Sequence, residues 1–195
     1  MEKTTKRSTR STSRTTQTET LSGNPDLDKF FYTELRDIYW AEKQLTKALP
    51  KMMQATTSEQ LQEALGMHQQ QTQEHVARLE EIFEAIGKKA QGKKCEAMEG
   101  LIQEGESVVE DTPDGSMTRD VGIIIACQKI EHYEIAAYGG LAQLARNMGR
   151  EDISELLEAT LEEEKQADLS LTEIAENDIN WEAQTEDNDL EAEEE

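Results

Sequence analysis

The chain has 195 residues, enough for one domain with a well-buried core. Its 42 acidic and 20 basic side chains leave a net charge of −22, which disfavours nucleic acid and anionic membranes as partners. No apolar run approaches the ~20 residues of a membrane-crossing helix, and two cysteines are too few for a disulfide framework, so a soluble protein of a reducing cytoplasm is expected.

Residues 1–23 hold five basic and two acidic side chains among Ser and Thr, with no apolar residues at helical spacing, and read as a disordered basic tail. A first helix starts at Asp26 or Asp28 behind Pro25, with acids in its first turn. It runs through FFYTELRDIYWAEKQLTKAL to Pro50, which is expected to bend or end it. Thr57 or Ser58 caps a second helix, SEQLQEALGMHQQQTQEHVARLEEIFEAIG, that stops at Gly87. A connector of about thirty residues follows, with a short helix near Cys95–Glu110 and the turn DTPDGS. A third long helix spans about Met117 to Met148 and ends at Gly149; a fourth runs from about Asp152 to Asn177. Residues 181–195, with eight acids and no bases from 182 onward, read as an acidic disordered tail. The body, 24–180, keeps a strong negative charge of its own.

Two tight helical hairpins joined by one long crossover is the connectivity of a ferritin-like four-helix bundle, whereas an up-and-down bundle uses short loops throughout. The expected fold class is therefore all-α, with a short extra helix on the crossover. No self-similarity of 34 or 40 residues supports a solenoid.

Turning each helix by 100° per residue places its apolar stripe. In every long helix that stripe is interrupted by residues of metal-ligand type. Glu42 falls among Phe31, Leu35, Ile38 and Leu45; His68 and His75 sit between Leu61, Leu65 and Leu79, with Gln71 on the flank. Glu134 centres the stripe of Ile123, Cys127, Ile130 and Tyr138, with Glu131 at its edge; Glu164 and Asp168 lie among Leu157, Leu161 and Leu171. The depths also match. Glu42 and His68 are equally far from the first hairpin turn, and Glu134 and Glu164 equally far from Gly149, with Glu131 and Asp168 one turn further out. An unpaired buried carboxylate costs several kcal/mol, and a shared cation neutralises such a cluster. Taken singly, each acid is as well explained by a bundle end or a salt bridge, and Glu131, Glu162 and Glu163 read equally as ordinary surface acids.

Several runs also resemble the YciF/YciE group of ferritin-like bacterial stress proteins: ELRDIYWAEKQLTKALPKM (34–52), KKCEAMEGL (93–101), IACQKIEHYEIAAYGGLAQLA (125–145) and LEATLEEEKQADLSLTEIA (157–175). The match covers about residues 27–177. It implies a dimeric ferritin-like bundle tied to stress responses, with a di-metal centre. Residue by residue it assigns Glu42, His68, Glu131, Glu134, Glu164 and Asp168 to that centre. One departure stands out: the family follows the histidine with acids where this chain has Gln69, Gln70 and Gln71. Gln71 offers only a neutral carbonyl oxygen, which weakens the two-metal reading more than the one-metal reading; His75, two turns from His68, is a substitute ligand.

Carboxylates with imidazole suit iron or manganese, one or two ions, ahead of zinc. The Glu-x-x-His pair of di-iron bundles is missing in that order. Ferroxidase or peroxide-detoxifying activity is the expectation, with Tyr39 and Tyr133 as redox-capable neighbours. Nothing in the sequence demands an iron-storage cage. The competing reading is a structural or interaction protein: a helical homodimer whose buried acids form a polar network without a catalytic metal. Phosphate loops, nucleophile elbows and CxxC pairs are absent, and Cys95 and Cys127 read as packed thiols.

Overall fold

A computed structural model describes residues 21–193, with side chains up to residue 186 at the C-terminal end. The basic tail at 1–20 and the final two residues lie outside the described residues.

Helix α1 (Pro25–Ala55) opens on Asn24, whose side-chain oxygen accepts from the N–H groups of Asp26 and Leu27, with Pro25 in the first turn. Of the two outcomes expected at Pro50, an end is ruled out: the helix continues to Ala55. A proline inside a helix costs ~3 kcal/mol. Leu49 and Met52, buried on either side, offset this at roughly 1.5–3 kcal/mol each. Helix α2 (Glu59–Ala85) is capped by Ser58 and ends at Gly87, whose φ of 66° is the left-handed conformation glycine adopts without strain. Helix α3 (Glu96–Asp111) rides on the crossover. Helix α4 (Met117–Asn147) turns back at Gly149 (φ 72°) into α5 (Glu151–Ile174).

Beyond α5 the chain makes a π-helical turn, Ala175–Ile179, and continues as α6 (Asn180–Glu193). The sequence reading placed the helix end near Asn177 and a disordered tail at 181–195; the described part of that segment is helical. Ile179 is fully buried, and the Glu186 carboxylate accepts from the N–H groups of Met117 and Thr118. An acid capping the start of α4 satisfies its first donors and complements its dipole. This anchor has no counterpart in hydrophobic periodicity, so it was not legible beforehand.

Around the bundle axis the order is α1, α2, α5, α4, with α3 laid across α1 and α4. The crossover carries the chain from the α2 end of the bundle to the opposite end, where α4 begins. Here the buried Asp120 carboxylate accepts from the N–H groups of Thr57 and Ser58 at 2.7–2.9 Å, tying the first hairpin turn to the start of α4. The fold is thus the expected all-α, ferritin-like four-helix bundle. Among the described residues no helix is long and apolar enough to cross a membrane.

Candidate metal centre

Each long helix delivers acids or imidazoles to one level of the core: Glu42 from α1, His68 and His75 from α2, Glu131 and Glu134 from α4, and Glu164 from α5. All six are buried. They form two overlapping groups, His68–Glu131–Glu134–Glu164 and Glu42–His75–Glu164; within each, one ligand atom per residue lies within 4.8 Å of every other. Glu164 belongs to both. Its Oε1 is 3.0 Å from His75 Nδ1 and its Oε2 is 3.8 Å from His68 Nε2, so one carboxylate faces both histidines. His68 Nε2 is also 3.3 Å from Glu131 Oε1, and His75 Nδ1 is 3.4 Å from Glu42 Oε1.

Polar atoms in this core are close but poorly satisfied. Among the described residues, every buried side-chain nitrogen or oxygen without a hydrogen-bond partner belongs to Glu42, His68, His75, Glu131, Glu134 or Glu164. Both oxygens of Glu134 and of Glu164, and both nitrogens of His68, are in that state. Native interiors satisfy the great majority of such atoms. Their confinement to one spot in an otherwise well-bonded protein shows that the donor set fits a cation, which would use these lone pairs.

Burial pushes the Glu131 and Glu134 carboxyls well above the usual range, and the neighbouring Glu164 charge adds to it. Burial likewise raises Glu42. His68 is lowered by burial. For His75 burial acts downward, but Glu164 and Glu42 prevail and push it up to about 10. Glu164 is held below the ordinary value despite burial, because His75 and His68 flank it. Burial thus favours the neutral form of Glu42, Glu131 and Glu134, while His75 and Glu164 favour each other's charged forms.

Three groups support this cluster from outside. Glu163 joins His75 Nε2 at 2.9 Å and receives Arg78 on both oxygens, so the far nitrogen of His75 is fixed while Nδ1 faces Glu42 and Glu164. A carboxylate behind a ligating histidine fixes its tautomer and orientation. Burial and its acidic neighbours raise the Tyr138 hydroxyl, which donates to Glu42 Oε1. Sequence reasoning treated Glu163 as a surface acid and Tyr138 as packing. The spacing of Tyr138, one turn after Glu134 on the same face, was the available signal; Glu163 had none, since only the α2–α5 contact brings it to His75.

Two of the eight candidate ligands stand apart. Asp168 is turned toward α4, where Gln128 Nε2 donates to it at 3.2 Å and exposed His132 is 3.3 Å away. Gln71 is half-buried and lines a cavity beside His68 and Glu131. Tyr39 and Tyr133 point elsewhere as well: Tyr39 donates to Glu80, and Tyr133 to Asp37 with Cys95 Sγ 3.0 Å from its hydroxyl. Cys95 and Cys127 are free, buried thiols.

Comparison with known proteins agrees with this architecture. The family model described as a domain of unknown function, DUF892, matches residues 26–184. Protein YciF of Escherichia coli strain K12 is 43% identical over 159 residues, which are 81% of this chain and 95% of that protein. The crystal structure of the E. coli stress protein YciF superposes with a TM-score of 0.76, covering 80% of this chain and 99% of that one. YcfI of Rhodopseudomonas palustris, 39% identical, gives a TM-score of 0.73 over 75% of this chain and 92% of its own. A Xanthomonas campestris protein at 21% identity and TM-score 0.63 shares the fold, over 82% of this chain and 97% of that one. The chain therefore belongs to the DUF892 family, the YciF-like group of ferritin-like bacterial stress proteins.

Proposed function

We propose that the buried cluster is a metal centre for iron or manganese, with zinc less suited, and that its role in a stress protein is ferroxidase or peroxide-detoxifying chemistry, in which the metal is oxidised and dioxygen or peroxide is reduced. The observation that carries this is that, among the described residues, the partnerless buried side-chain polar atoms are confined to six ligand-type residues. His68, Glu131, Glu134 and Glu164 would hold one ion; Glu42 and His75, sharing Glu164, would hold a second. Two overlapping groups favour the dinuclear form, and neither includes Gln71. A bound iron or manganese pair supplies one-electron redox chemistry toward dioxygen or peroxide.

The rest is the work of the protein. Four helices hold the ligands rigidly, and burial keeps bulk water out. His75, pinned by Glu163, presents Nδ1 inward. Tyr138 holds Glu42 in place through its hydroxyl. Because burial raises Glu131, Glu134 and Glu42 toward the neutral form, cation uptake by these acids would be coupled to proton release. Assembly as a homodimer in the cytoplasm completes the proposal, and light scattering tests the assembly.

The deciding experiment is elemental analysis of protein purified without chelator or affinity metal, beside Glu164→Ala. About two iron or manganese ions per chain, falling below one in the variant, supports the centre. Equal sub-stoichiometric content in both proteins replaces it with the alternative reading, a structural dimer whose buried acids form a protonated network.

A further inference from the structure

A cavity of about 70 Å³ opens between α2 and α5 and reaches the cluster. By the same measure one water takes roughly 10–15 Å³, so the space suits a few waters or one small solute. At its outer part lie exposed Met67 and Gln166, with Gln71, Ala167 and Ser170 half-buried. Its inner wall is His68 and Glu131, both more than nine-tenths buried. Both His68 nitrogens and Glu131 Oε2 lack partners there. Two other cavities, between α1 and α3 and between α1 and α4, are lined by no residue of the cluster.

The lining is unusual for this molecule. On a chain of net charge −22, the only acidic or basic side chain bounding the cavity, apart from the His68 imidazole, is Glu131 at its inner end. The mouth is made of amides, a hydroxyl and apolar side chains. Such a passage lacks the carboxylates that would draw and dehydrate a divalent cation, and its size excludes bulky organic molecules.

We propose that this cavity is the port and binding pocket for a small uncharged oxidant, dioxygen or hydrogen peroxide, on its way to the His68–Glu131 side of the cluster. What the pocket serves rests on the metal-centre reading above; that it admits such a molecule does not. Gln71, an amide at the mouth, keeps it neutral. Ala167 and Ser170 keep it open, and Met67 limits its width.

The test has two arms. In the first, metal-free protein labelled at leucine methyls is studied by NMR under dissolved oxygen. Paramagnetic relaxation should be enhanced at buried Leu65 and Leu171, which line the cavity, above that at equally buried Leu45 and Leu79. Ala167→Phe, with Ser170→Leu as a second filling variant, should bring them down to the level of Leu45. No excess at Leu65 and Leu171 overturns the proposal.

In the second arm, Fe(II)-loaded protein meets dissolved oxygen, hydrogen peroxide or cumene hydroperoxide. Loss of Fe(II) should be about tenfold or more slower with the bulky hydroperoxide and in the filled variants, at unchanged iron content. Met67→Ala should narrow the gap between the peroxides. A faster reaction with oxygen or with hydrogen peroxide identifies the natural oxidant, while equal rates with cumene hydroperoxide overturn the port. If the protein takes up no metal yet the leucine excess is present, the metal reading fails and the pocket stands. Metal uptake without the leucine excess leaves the metal centre standing and overturns the pocket.

Discussion

Glu134 offers the sharpest test of why these acids are in the core. It is fully buried, both its oxygens lack partners, and burial is the main cause of its raised affinity for a proton. In metal-free protein it is an unsatisfied polar group, at a cost of about 1–3 kcal/mol. Glu134→Met keeps nearly the same volume, removes both oxygens and adds apolar contact with neighbours such as Ile130 and Tyr138. Replacing buried polar groups by well-packed apolar ones is commonly neutral or stabilising by ~1–4 kcal/mol. Taking about 1–3 kcal/mol, the melting temperature in chelator should rise by roughly 2–12 °C for a chain of this size. Calorimetry repeated with excess manganese should reverse the order, because wild type gains binding energy that the variant loses. A variant less stable than wild type in chelator refutes the reasoning, since it would mean that Glu134 makes stabilising contacts of its own.

Three further outcomes follow from the same geometry. Glu131, Glu134 and Glu42 have folded values raised above the ordinary 4.5, so the stability they permit is complete below that pH and is lost as pH rises through their raised values. Melting of metal-free protein should accordingly fall as pH climbs from about 4.5, while lowered Glu163 and Glu164 lose their contribution only on the acid side; a flat profile above 4.5 contradicts the protonated network. Glu163→Gln frees the far nitrogen of His75 from its carboxylate, and the ion nearer Glu42 should bind about 10–100-fold more weakly in a competition titration. Unchanged affinity would make Glu163 the surface acid that periodicity suggested. Asp120→Ala strips the N–H groups of Thr57 and Ser58 of their acceptor, and urea denaturation should show a loss of roughly 1–3 kcal/mol with metal content preserved.

Much of this protein is written in local chemistry. Asn24 and Pro25, Ser58, Gly87 and Gly149 punctuate the helices where they start and stop, because caps and left-handed turns are decided by the residue itself. A 3.6-residue period places Glu42, His68, His75, Glu131, Glu134 and Glu164 on inward faces, and counting from each hairpin turn sets their depth. The count pairs Glu42 with His68 and Glu131 with Asp168, whereas in the fold Glu42 faces His75, Glu131 faces His68, and Asp168 turns away.

Pairing across the bundle lay beyond that reach. A helical stripe is ≳100° wide, so position on it does not say which neighbour a residue at its edge will face. Asp168 lies one turn from Glu164, offset by about 40°, and that offset turns it to Gln128 and His132 on α4. Glu163, a full 100° from Glu164, swings toward α2 and becomes the support of His75. Pro50 stays inside α1 because burial of its neighbours outweighs a local preference, and the chain after Asn177 is helical, with Ile179 buried and Glu186 capping α4. Sequence by itself determined the four long helices and their inward faces. Only the tertiary structure decided which side chains touch, since contacts depend on the rotation and tilt of helices against one another, and those are properties of the packed whole.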